Sequence, residues 1–187
     1  MDPLLVLTVA GSLGVLFAAS TAHKLVALGE WPGVVRNYKV LPQALALPAA
    51  GLLLIAGALT AAALFWPAAR RLGACAAAVQ LILFAGAMAI NLRRGRSSID
   101  CGCFGSRLRR GISVWMVARN LALAMLALSL LLPPKPRALG VLDIAAALAF
   151  VATLAFLYPV LDVVLRPPPA TFAENFAASN AAATRVR

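Results

Sequence analysis

Ile99-Asp100-Cys101-Gly102-Cys103-Phe104-Gly105 lies in the middle of an arginine-rich loop, with an apolar stretch on each side at residues 72–92 and 112–132. About 20 consecutive apolar residues are what an α-helix needs to cross the hydrocarbon core of a bilayer. The three pieces together read as a transmembrane hairpin whose connecting loop carries chemistry. Two thiols one residue apart can close a small, strained disulfide ring, and strained exposed disulfides are more oxidising than structural ones. Gly102 and Gly105 leave backbone room for so tight a turn. Arg93, Arg94, Arg96, Arg107, Arg109 and Arg110 surround it, and nearby cations stabilise a thiolate and make it reactive.

The rest of the chain repeats the apolar pattern. Mean hydropathy of +0.91 and 63% hydrophobic residues exclude a soluble domain. A first apolar segment covers 3–28, a second 43–66, the third and fourth flank the loop, and a fifth covers 139–165. Only regular helices satisfy every backbone group inside a bilayer, so these segments predict an all-α polytopic membrane bundle. It has about five transmembrane helices, or a four-helix core plus one peripheral helix. Between the first two segments, Glu30, Trp31, Arg36, Tyr38 and Lys39 read as a polar loop at the membrane–water interface, where amphipathic rings settle. The bundle is expected to occupy 3–165 as one domain. The polar, Ala- and Asn-rich residues 166–187 read as a disordered tail. Ala19-Ser20-Thr21-Ala22 has the small residues of a signal-peptide cleavage site, but no Lys or Arg precedes the apolar run, so a retained first helix is expected.

A net charge of +11 would suggest nucleic acid in a soluble protein. Here the cations lie between apolar runs, where lipid headgroups and membrane topology account for them, and no nucleic-acid partner is expected. Lys24, Arg36, Lys39, the six loop arginines, Arg166, Arg185 and Arg187 fall on one side of the alternating helices. Arg70, Arg71, Lys135 and Arg137 fall on the other. That asymmetry points to an outside N-terminus, with the Cys-x-Cys loop and the C-terminus inside.

Alternation also gathers the unusual polar residues at the loop end. His23 and Lys24 end the first segment, Asn91 ends the third, Arg119 and Asn120 lie two turns into the fourth, and Asp162 is near the end of the fifth. Ionisable groups within membrane segments are costly, and they face the bundle interior, pair with one another or mark a site. His23 and Lys24 are expected beside Cys101 and Cys103, with Arg119 and Asp162 close enough to form a buried pair. A bland alternative is that His23 and Lys24 snorkel to the headgroups. Cys75 is 17 residues before Leu92, about 25 Å along a helix, and reads as a small packing residue remote from the pair.

Ala22-His23-Lys24 at the end of the first helix, Tyr38 with Leu41-Pro42, and Asp100-Cys101-Gly102-Cys103-Phe104-Gly105 after the third resemble the methylamine utilisation protein MauE family. That family is distantly similar to the DoxX-like membrane proteins. The resemblance spans about residues 5–165 and implies a multi-pass protein of the bacterial inner membrane. It further implies support for maturation of an exported, disulfide-rich client such as the small (beta) subunit of methylamine dehydrogenase, with a thioredoxin-like MauD-type protein as companion. In that picture Cys101 and Cys103 form the redox pair, His23 and Lys24 support it, and a quinone is a candidate electron acceptor. Such a client folds in the periplasm, whereas the charge rule puts the loop inside. Either the loop turns back toward the bilayer or the rule fails. Two other readings stand beside the redox one: a non-catalytic membrane scaffold, and a soft-metal site formed by Cys101, Cys103 and His23.

Overall fold

The computed structural model describes residues 1–97, 99, 111–133 and 137–164, and the described residues are helical with no strand. Helix α1 spans Pro3–Val26, capped by the Asp2 carboxylate, which accepts a hydrogen bond from the Leu4 N–H at 2.8 Å. Pro3 fits there because a first-turn residue has no intrahelical use for its N–H. A short helix α2, Trp31–Asn37, follows. A single 3-10 turn, Gln43–Leu45, leads into α3, Ala46–Phe65. After the turn at 66–69 comes α4, Arg70–Arg93; α5 is Val114–Ser129 and α6 is Val141–Val164.

The expected apolar segments are all helical, with two differences. Residues 30–39 hold a helix where a loop was expected, and α5 has 16 residues instead of the expected 21-residue span 112–132. At 1.5 Å per residue α5 is about 24 Å long, short of a 30 Å hydrocarbon core. Its chain continues as turns to Leu132, because Pro133 and Pro134 cannot prolong it. By length and hydropathy, α1, the stretch Gln43–Phe65, and α4 can each cross a membrane.

What is buried and what is exposed also fits a bundle immersed in lipid. The covered face of α4 is mostly small: Gly73, Ala74, Ala77, Ala78 and Ala85, with Leu81 and Met88. Its open face carries Leu72, Val79, Ile82, Leu83 and Ile90, and Leu72 is 75% exposed. Lipid tails are as apolar as leucine, so large side chains gain nothing by leaving them, while small ones let backbones approach closely. Gly73 marks the tightest approach. A Cβ there would lie 2.9 Å from the Leu64 backbone nitrogen of α3. Gln80 on α4 donates to the Thr60 hydroxyl of α3 at 2.7 Å, a polar tie inside the apolar stack.

The described chain divides into two compact units, Met1–Ala152 and Thr153 onward, and α6 begins in the first. In that unit α4 packs chiefly on α5 and α3, α1 on α3, and α2 on α3. The start of α1, the segment after α5 and the start of α6 meet at one end. There the Met1 amino group donates to the Pro133 carbonyl at 2.6 Å, and Arg137 bridges Asp2 and Asp143. The opposite end is where α1 and α4 finish and α5 begins.

Candidate functional site

Helix α4 stops because of Gly95. With φ at +70° it takes the left-handed conformation that a glycine adopts without penalty. The Gly95 N–H reaches back to the Leu92 carbonyl and the Arg96 N–H to the Asn91 carbonyl, both at 3.0 Å. This paired closure satisfies the last carbonyls of a helix and turns the chain sharply away. The cysteine loop therefore departs from a defined point.

Asn91 fixes that point to the rest of the bundle. It is fully buried, and its Nδ2 donates to the Tyr38 carbonyl at 2.9 Å and to the Ala87 carbonyl at 3.0 Å. Its Oδ1 accepts from Arg96 Nη1 at 3.1 Å. The other Arg96 nitrogen, Nη2, donates to the Asn37 carbonyl, and Arg94 Nη1 to the Lys39 carbonyl, each at 3.1 Å. Two arginines and one asparagine thus bind the end of α4 to three consecutive residues, Asn37 to Lys39, at the end of α2. The arrangement holds Lys39 at φ +46°, an uncommon setting for a residue with a side chain.

Lys24 is buried beside this joint. Its Nζ lies 4.8 Å from the Trp31 ring centroid and 5.3 Å from that of Phe84, within the range in which a ring face attracts a cation. Trp31 is set by its indole N–H, which donates to the Ala50 carbonyl of α3 at 2.9 Å. So α2 exists because Trp31 docks on α3, and docking supplies one wall of the Lys24 niche. Lys24 turns inward and does not snorkel. His23, one residue earlier, points to the exposed side of the same last turn.

On α5, Arg119 is half-buried and Asn120 is buried, in line with Met116 and Ala124 on the face toward the bundle. Among the described residues the Asn120 Nδ2 has no hydrogen-bond partner. Cys101 and Cys103 lie outside the described residues, and so does the side chain of Asp162. The expected approach of His23 and Lys24 to the sulfurs, and the Arg119–Asp162 pair, therefore fall outside them too. The described residues next to the loop are anchored. Ile99 is buried, and Ile112 packs with Met88 and Met116 in a cluster bordered by Tyr38, Phe84, Leu92 and Val117.

Cys75 differs from its expected role. It is a free thiol on the exposed face of α4 near the opposite end, not a residue packed between helices. No cluster of three His, Cys, Asp or Glu side chains able to hold a metal occurs among the described residues. Sequence reasoning missed Phe84 and Gly95. Phe84 carries no signal within an apolar helix. Gly95 does, since a glycine just past a basic last turn is a helix-stop pattern.

The family model for methylamine utilisation protein MauE matches residues 2–133, which takes in the Lys24 niche, the Asn91 joint and the cysteine loop. A curated relative from Paracoccus versutus, methylamine utilization protein MauE, is 39% identical over 84% of this chain and 85% of its own length. The protein of that name from Methylophilus methylotrophus is 36% identical over 89% of each chain. The one from Paracoccus denitrificans is 42% identical over 63% of each. No solved structure matches the chain significantly. A family match across more than half the chain, and relatives aligned over most of both lengths, lead to one conclusion: the chain belongs to the methylamine utilisation protein MauE family.

Proposed function

We propose that this protein is a thiol–disulfide redox component of the bacterial inner membrane, supporting maturation of an exported, disulfide-rich client in methylamine utilisation. The methylamine dehydrogenase small subunit is the client that fits the family's name, and a thioredoxin-like MauD-type protein is the natural companion. The observation that carries the reading is a Cys-x-Cys pair in a loop of arginines, flanked by the buried Ile99 and by Ile112, which packs on Met88 and Met116. The bundle, 3–165, is the working unit, and 166–187 is an accessory tail.

In the oxidising direction, a client thiolate attacks one sulfur of the Cys101–Cys103 disulfide. The S–S bond breaks and a mixed disulfide forms. The client's second thiolate displaces the remaining protein sulfur, which leaves the client oxidised and the protein holding two thiols. Re-forming the Cys101–Cys103 disulfide from the two thiols releases two electrons and two protons, and a quinone would supply the acceptor for them. The arginines favour the thiolate as leaving group. His23 and Lys24 are the candidates to support proton and charge movement, with Arg119 and Asp162 as a pair behind them.

Redox titration of the purified protein with thiol labelling tests this. The expected potential is well above the roughly −270 mV of thioredoxin, nearer the −180 to −120 mV of disulfide-forming proteins. Ser at either Cys101 or Cys103 should abolish client maturation, whereas Cys75→Ser should not. Full activity of the double Ser variant would leave a non-catalytic scaffold in its place.

A further inference from the structure

Between α2, the segment 38–41, α3 and α4 lies a cavity of about 340 Å³ that the redox reading does not use. Pockets that take small ligands begin at about this size. Its walls are apolar, with Val35, Leu53 and Ala87 joined by the rings of Trp31, Tyr38 and Phe84. Leu52 and Leu83 also line it, and both are among the strongly exposed leucines of α3 and α4. The recess therefore opens on the side of the bundle that faces lipid. Trp31 and Phe84 are the same rings that border Lys24, so the inner wall is backed by a buried cation.

Basic residues gather at the rim on the side of residues 36–40. Tyr38 and Val40 line the cavity, and Lys39 between them is exposed. The Lys39 carbonyl is held by Arg94 and the Asn37 carbonyl by Arg96, while Arg36 is exposed on the turn of α2 whose neighbour Val35 lines the recess. Both guanidiniums donate to neutral oxygens, so these bonds position them without cancelling their charge. A guanidinium's planar donors match a phosphate, and a headgroup of net negative charge, with no ammonium of its own, suits a cationic rim best.

We propose that the cavity is a binding site for one anionic phospholipid, with an acyl chain in the aromatic-walled recess and its phosphate on Arg94, Lys39 and Arg36. A neutral quinone ring would fill the recess but would leave the cationic rim without a partner. The bound lipid would brace α2 against α3 and α4, and with it the joint from which the cysteine loop departs.

The test is native mass spectrometry of the full chain, stripped of lipid in detergent and offered equal amounts of phosphatidylglycerol and phosphatidylcholine with identical chains. One phosphatidylglycerol per protein should be retained in preference. Arg94→Gln and Lys39→Gln should each cut that preference about fivefold, the worth of one basic residue near an anionic membrane surface. Ala87→Phe, which fills the recess, should remove the bound lipid while helicity by circular dichroism is unchanged. If Ala87→Phe does not fold, the two charge variants decide alone. Equal retention of both lipids, or a preference untouched by the charge variants, would mean only an annular lipid and overturn the proposal. So would displacement of the phospholipid by a neutral prenylquinone at equal concentration.

Discussion

The crossing of α3 and α4 at Gly73 gives a prediction in which two glycines of one helix behave oppositely. At Gly73 an added Cβ would stand 2.9 Å from the Leu64 nitrogen and 3.0 Å from both the carbonyl carbon and the Cβ of Ala63. Ordinary contacts begin near 3.4 Å, so the two backbones would have to part by roughly half an ångström. They are joined by the short turn at 66–69 and packed around the fully buried Leu64, which leaves little freedom to do so. Overpacking of this kind costs about 1–3 kcal/mol. At Gly86, further along α4, a Cβ would meet nothing within 4 Å. Alanine in either position gains helix propensity, up to about 1 kcal/mol in a helix interior. That gain is common to both, so subtracting one variant from the other isolates the crossing. Gly73→Ala should be less stable than Gly86→Ala by about 1–3 kcal/mol, and Gly86→Ala should match or exceed the unsubstituted protein. Reversible unfolding in mixed micelles, titrated with SDS and followed by circular dichroism, measures the difference. If Gly73→Ala equals or exceeds Gly86→Ala in stability, the close approach of α3 and α4 is wrong.

Asn91→Leu keeps the branched outline, at a somewhat larger volume, but strips the Tyr38 carbonyl and Arg96 of a partner, and should cost at least about 1–3 kcal/mol in the same unfolding assay, because buried groups left unpaired bear their full desolvation penalty. The variant should also expose the 93–97 backbone to faster hydrogen exchange, since its anchor is gone. Thr60→Val and Gln80→Leu, combined in a double-mutant cycle, should show a coupling of about 0.6–1.7 kcal/mol, the range of interhelical hydrogen bonds in membranes. Trp31→Leu removes both a ring face from Lys24 and the bond to Ala50, so it should loosen α2, read as increased protease sensitivity in 28–42 with the α3–α4 stack intact. A reporter fused after Arg187 should be active only in the cytoplasm, and periplasmic activity would reverse the orientation that the charge asymmetry implies.

Hydropathy was enough to find the five apolar helices α1, α3, α4, α5 and α6, because a segment of 16 to 24 apolar residues has few alternatives to a helix in lipid. It was not enough to find α2. Seven residues are too few to hold a helix on local grounds, even with Pro32 suited to its first turn, and the helix depends on Trp31 reaching the Ala50 carbonyl. The same limit explains Cys75 and Phe84. In a soluble helix the apolar stripe marks the buried side, but here both faces of α4 are apolar and only residue size separates them. A cysteine among alanines reads as packed, yet it faces outward. Of the site, the placement of Lys24 and Asn91 in the last turns of α1 and α4 followed from alternation alone. That Lys24 would be satisfied partly by two rings did not, since the partners lie on α2 and α4 at separations no local pattern encodes.

The two ends of α4 solve different problems with different chemistry. Toward Gly73 the helix meets α3 through small residues, where dispersion between close backbones holds the pair and no polar group has to leave water. Toward Asn91 it meets the segment 37–39 through hydrogen bonds from an amide and two guanidiniums. Such bonds would be expensive at mid-membrane, but at a helix end the free carbonyls are present in any case and need donors. Directional bonds also fix position more tightly than packing of alanines does. On the proposed redox reading a fixed point of departure is useful, because thiol–disulfide exchange requires an attacking sulfur to approach along the S–S axis. A polar joint therefore suits the end of α4 next to the cysteine loop, and apolar contacts there would hold the helix without fixing its last turn so closely.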